Sequence, residues 1–95
     1  MKVKEVIDLI NEQSTIYSIF AADDEIEGKV VSANQDLSQH RWYSIATRVY
    51  QVEDGFVAVR GPFQLFSEAM SWKDLNIKCS AFEVVPQPST YYKAK

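Results

Sequence analysis

With one cysteine, one histidine and three isolated glycines in 95 residues, the chain lacks the raw material of several kinds of reactive site. Cys79 has no second cysteine with which to close an internal disulfide, and the opening MKVKEVIDLI carries Lys4, Glu5 and Asp8 where a signal peptide needs an unbroken apolar stretch. Both features predict a cytoplasmic protein in a reducing compartment. No apolar run approaches the roughly 18 residues of a membrane-spanning helix, so no membrane partner is expected. A zinc site of the usual kind needs several cysteines and histidines and is excluded here unless carboxylates or a second chain complete it. Phosphate-binding loops are excluded too, because Gly28, Gly55 and Gly61 stand alone and none opens a glycine-rich helix start.

What is present is an ordinary globular balance: 46% apolar and 24% charged residues, enough for one core in a single domain spanning 1–95. The net charge of −3 hides an asymmetry. Residues 1–37 hold eight acids against three lysines, whereas residues 38–95 hold seven bases against five acids. Overall acidity argues against a dedicated duplex-DNA binder, whose affinity comes mostly from neutralising phosphates.

Val3, Val6, Ile7 and Ile10 fall at helical spacing, with Leu9 widening the stripe and Lys4, Glu5, Asp8, Asn11 and Glu12 off it. This predicts an amphipathic helix of about three turns that stops near Gln13 and Ser14. IYSIF, residues 16–20, fits either a short strand or a helical turn capped by Thr15 that buries Ile16, Ile19 and Phe20. The polar stretch from Asp23 to His40 reads as a long connection with at most a turn of helix.

From Arg41 the pattern is that of strands. Asp54-Gly55 signals a two-residue hairpin turn, which sets Tyr50 opposite Val59 and Val52 opposite Val57, with all four on the core face. Counting back by twos adds Arg48, Ala46, Ser44 and Trp42 to that face. Tyr43, Ile45 and Val49 lie on the other, so the early half of this strand is apolar on both sides and calls for a bulge or for cover on both faces. Gly61-Pro62 is expected to end the second strand or mark its edge. SWKDL, residues 71–75, reads as a short helical turn capped by Ser71 with Asp74. NIKCSAFEVV reads as a strand with Ile77, Cys79 and Ala81 alternating against Lys78, Ser80 and Phe82, and STYYKAK as a closing strand. The expected fold is α+β, an N-terminal helix packed on a three- to four-stranded antiparallel meander sheet.

No constellation marks a reaction centre. Cys79 sits on the inward phase of an apolar strand, which suits a buried thiol and not an activated nucleophile. His40 follows a polar segment with no marked partner. The run from Asp23 to Gly28 has the acid spacing of a calcium loop, but Asn34 stands where that loop needs a bidentate carboxylate, so no metal is expected. Glu53, Asp54, Glu68, Asp74 and Glu83 admit a small hydrolase with paired carboxylates, although nothing pairs two of them. The favoured reading is a non-catalytic interaction protein, an inhibitor or accessory factor without a cofactor. It would engage a protein partner through Asp23, Asp24, Glu25 and Glu27 together with the surface rings Tyr43 and Phe56. A homodimer through an open sheet edge is compatible with that reading. The alternative, ranked below it, is a single-stranded nucleic-acid module using Arg41, Tyr43, Arg60 and Lys78 on one strand face.

Overall fold

A computed structural model of the chain describes residues 1–12, 16–66, 71, 77–86 and 92–94. Helix α1 spans Val3–Glu12 and helix α2 Ile19–Glu25. Five strands follow: β1 Lys29–Gln39, β2 Tyr43–Val52, β3 Gly55–Leu65, β4 Ser80–Pro86 and β5 Tyr92–Ala94. They form one antiparallel sheet in the order β1-β2-β3-β4-β5, so the expected α+β meander stands and gains a further strand and a second helix. Among the described residues no helix is long and apolar enough to cross a membrane.

Helix α1 forms as its spacing predicts, burying Val3, Val6 and Ile10 and leaving Lys4, Glu5, Asp8 and Glu12 outside. Its expected stop at Gln13 and Ser14, like residues 72–75 of the SWKDL turn, falls outside the described residues. Lys2, which precedes the helix, has no side-chain acceptor for the orphan N–H groups of the first turn. Asp54 supplies one from the β2–β3 turn, its Oδ1 accepting from Val3 N at 2.8 Å. Beside it the Glu53 N–H donates to the Met1 carbonyl at 3.1 Å. At the other end Asn11 lies along β4, its Nδ2 donating to the Ala81 carbonyl at 3.1 Å and its Oδ1 accepting from Ala81 N at 2.9 Å. Since β5 pairs only with Val84–Pro86, Asn11 satisfies a part of the β4 edge that β5 leaves uncovered.

The hairpin turn is real, but its register differs from the expected one. Tyr50 lies opposite Val57, Gln51 opposite Phe56 and Val52 opposite Gly55, so Glu53 and Asp54 form the turn. Glu53 takes the place of Gly55 in the turn, and Asp54, which lies in it in either register, caps α1. The displacement is two residues, and because side chains alternate with period two the faces are unchanged. Tyr50, Val57 and Val59 therefore still join α1 in the main core, together with Ile16, Ala22, Ile26, Cys79 and Ala81. Val49, Ala58 and Val84 form a second buried layer on the opposite face, flanked by Val31, Phe56 and Phe82. Of the two causes expected for the apolar two-sidedness of early β2, cover on both faces is the one found; the register shift between Ser44 and Ile45 places its extra residue, Phe63, in β3 and leaves the phase of β2 unchanged.

Four local expectations are corrected. IYSIF leads into a helix only at Ile19, capped by Ser18, whose Oγ accepts from Ala21 N at 3.1 Å; Phe20 is exposed, and Thr15 lies outside the described residues. The long connection contains α2 and an 11-residue strand, β1. Three register shifts against β2 erase the alternation by which that strand could be recognised. Gly28 leads into it where a Cβ would stand 2.9 Å from the Gln51 carbonyl oxygen, closer than packing allows. Gly61-Pro62 does not end β3, which runs on to Leu65. The other branch of that expectation holds: β4 pairs only as far as Arg60, so Pro62 marks an edge of β3 where its missing N–H breaks no ladder to β4. Trp42 is 46% exposed and not in the core, because β2 begins one residue later and Trp42 belongs to the preceding turn.

Packing and capping differ in scale. Ile10→Ala should destabilise by about 2–5 kcal/mol, the range for emptying a fully buried site, whereas Asp54→Ala should cost about 1 kcal/mol through loss of a helix cap. Urea unfolding of both variants checks the order; an Asp54→Ala loss as large as that of Ile10→Ala would show that the turn carries more than a cap.

Candidate interaction surface

The structure treats the acidic run unevenly. Ser18 starts α2 in a phase that turns Asp23 toward the sheet, where its Oδ1 accepts from the Tyr50 hydroxyl at 2.6 Å and stands 3.5 Å from Arg48 Nη1. Arg48 is 14% exposed in its side chain, and its guanidinium lies 5.8 Å over the Phe20 ring, which stacks on Phe63 at 5.5 Å. Asp23 therefore fastens α2 to β2. Asp24, Glu25 and Glu27 are exposed on the helix side of the molecule.

Tyr43 and Phe56 are on the other face and at opposite ends of it. Tyr43 pairs with Leu65 at the far end of β2, whereas Phe56 pairs with Gln51 near the β2–β3 turn and packs on Val49, Ala58 and Val84. Both rings are half-buried. The six residues of the favoured reading do not form one surface. The four of the alternative lie closer to a common place. Tyr43 and Arg60 share the face away from the helices, and Arg60 pairs with Ser80, two residues beyond the exposed Lys78. Arg60 is half-buried, and its Nη1 donates to Thr47 Oγ1 at 3.1 Å.

Sequence reasoning passed over the feature that stands out most at this end of the sheet, the turn between β1 and β2. The turn is closed by the His40 N–H donating to the Tyr43 carbonyl at 2.8 Å, and the Phe66 N–H donates to the Trp42 carbonyl at 2.8 Å, tying it to the end of β3. The His40 ring stacks on Tyr43 at 4.7 Å, and Arg41 lies 4.7 Å over Trp42. Three large apolar side chains are exposed here: Leu37 at 57%, Trp42 at 46% and Phe66 at 44%. No acid occurs between Asp36 and Glu53 or between Asp54 and Glu68. The signal in the sequence was the HRWY run itself, three ring residues and a base immediately before a strand.

Of the carboxylates considered for hydrolysis, Asp54 is committed to α1, Glu83 is half-buried opposite Val57, and Glu68 and Asp74 lie outside the described residues. Among the described residues no cavity opens, and no three side chains of His, Cys, Asp or Glu converge as a metal set would. Cys79 is buried against Gly61, where a Cβ would overlap its Sγ, and burial pushes the thiol up from 9.0 to about 11. No family model, curated protein or solved structure matches the chain.

Tyr50 connects this geometry to pH. Burial first, then the hydrogen bond to Asp23 and its charge, hold the phenol well above its ordinary 10.0. A group whose folded value is raised contributes stability that is intact below its unfolded value and is lost as pH rises past it. Stability should therefore fall above pH 10, with Cys79 adding a fall from pH 9.0 to about 11. In the Cys79→Ala background, Tyr50→Phe should cost about 1 kcal/mol at neutral pH and flatten the remaining alkaline decline. Neutralising Asp24, Glu25 and Glu27 together should leave the thermal midpoint nearly unchanged, since exposed charges contribute little. An unchanged alkaline decline in Tyr50→Phe, or unfolding of the triple variant, contradicts these assignments.

Proposed function

We propose that the protein is a non-catalytic binding module that engages a protein partner through the β1–β2 turn, with Trp42 as its anchor. The observation that carries this reading is the exposure of Trp42 on a turn held at both sides by main-chain hydrogen bonds. Ordering a flexible turn costs binding energy, and a turn whose backbone is already held avoids part of that cost. Tryptophan, tyrosine and arginine are the residues that most often dominate interface energetics, and Arg41, Trp42 and Tyr43 are consecutive here. Phe66, bonded to the same turn, supplies further exposed apolar area. Asp24, Glu25 and Glu27 remain an exposed acidic surface on the helix side, suited to steering an encounter and not to anchoring it. The buried thiol suits a reducing compartment, in keeping with a cytoplasmic setting.

A second reading, binding of single-stranded nucleic acid, draws on Tyr43 and Arg60 sharing a face near Lys78. It is the weaker of the two because Arg60 is already bonded to Thr47 and His40 covers one face of the Tyr43 ring.

Affinity capture from the native host, with immobilised wild-type protein and Trp42→Ala side by side, separates these readings. The expected result is a nuclease-resistant protein partner whose retention falls about thirtyfold or more with Trp42→Ala, the scale of an interface hot spot. Retention unaffected by Trp42→Ala, or a partner released by nuclease, overturns the proposal.

A further inference from the structure

The chemistry of the partner can be taken one step further, resting on the reading of the turn as a protein-binding site. Arg41 lies over the indole of Trp42, and among the described residues that ring contact is its only one; no carboxylate, carbonyl or hydroxyl takes its donors. The other two arginines of the sheet are committed, Arg48 to Asp23 and Arg60 to Thr47. A guanidinium that uses its flat face on an aromatic ring still presents its N–H groups at its edge, in the fork that matches a carboxylate. The stack also removes much of the entropy an exposed arginine would lose on binding. Among the described residues no acid pairs with this fork, and the sequence from Leu37 to Val52 and from Gly55 to Phe66 contains none.

We infer that the β1–β2 turn receives an acidic segment of a different protein, in which a carboxylate pairs with the Arg41 fork while a neighbouring apolar side chain packs on Trp42 and Phe66. Phosphate pairs with a guanidinium in the same forked way, so the choice of a protein carboxylate over a nucleic-acid backbone rests on two further facts. A single-stranded nucleic acid is held by a track of cations and by bases stacked on open ring faces. Here the turn offers one uncommitted arginine, and one face each of Trp42 and Tyr43 is already covered, by Arg41 and His40. One fork on exposed Trp42, with exposed Phe66 bonded to the same turn, fits a single charge next to an apolar anchor. The open edge of β1 is a poorer place for such a segment, because its three register shifts interrupt the regular ladder that an added strand would need.

The test uses the full chain labelled for NMR and titrated with short synthetic peptides that place Asp or Glu beside Phe or Leu, with matched Asn and Gln peptides, and with oligo-dT. The acidic peptides should shift the amides of His40–Tyr43 and Phe66, and their Asn and Gln counterparts should not. Arg41→Ala should weaken binding by about thirtyfold and Arg41→Lys by an intermediate factor, since lysine keeps the charge and loses the fork. Circular dichroism establishes that each variant is folded. Equal binding of the neutral peptides, no binding by any peptide, or no effect of Arg41→Ala overturns the acidic-segment inference. In those cases the loss of captured partner with Trp42→Ala still decides the protein-binding reading separately. Shifts produced by oligo-dT alone overturn both, and turn shifts that follow the protein's own concentration show that a second copy is the occupant, against the inference.

Discussion

The pairing of β2 with β3 is the constraint on which the rest of the molecule depends. These two strands contribute Tyr50, Val57 and Val59 to the core beneath the helices and Val49 and Ala58 to the layer on the far side. Each such side chain contributes roughly 1.5–3 kcal/mol when fully buried if it is a valine or larger, so the pair holds two apolar layers apart and together at once. Its turn reaches α1 through Asp54 and Glu53, its middle holds α2 through Arg48 and Tyr50, and its far end carries the Trp42 turn through the Phe66 hydrogen bond. A slip of one residue would invert every one of these faces.

How much of this was legible in the chain follows from the range of the interactions involved. The α1 stripe, the sharing of one face by Tyr50, Val52, Val57 and Val59, and the inward phase of Cys79 and Ala81 depend on local periodicity, and each was readable. The turn position was not: Asp54-Gly55 is the better local turn, but Glu53 takes the place of Gly55 and its N–H donates to the Met1 carbonyl, a distant contact that local sequence does not show. β1 was hidden for a different reason. It lies at the sheet edge with much of its surface in water, so its sequence, KVVSANQDLSQ, needs neither a continuous apolar face nor regular alternation. Within the acidic run the distinction between Asp23 and its neighbours required the phase of α2, which Ser18 sets and which two or three apolar residues were too few to reveal.

The candidate surface shows the same division. Arg41, Tyr43 and Arg60 were recognisable as bases and rings near a strand, but the sequence alone placed Trp42 inward by extending the β2 alternation one residue too far. The structure separates charge along the molecule, with the exposed acids Asp24, Glu25 and Glu27 on the helix side and an acid-free, ring-bearing turn at the end of the sheet. Among the described residues no acid occupies the Arg41 fork, which lies on the Trp42 ring.

Native-state amide exchange tests the central claim most directly, that the β2–β3 pair is the stable unit and the Trp42 turn is fastened to it. Val49, Tyr50, Val57, Ala58 and Val59 should exchange most slowly, near the rate set by global unfolding. The N–H groups of His40 and Phe66, although at an exposed end, should be protected as well, because both donate to main-chain carbonyls. Exchange of His40 and Phe66 at the rate of a free peptide, with β1 as slow as the centre of β2, would contradict the account.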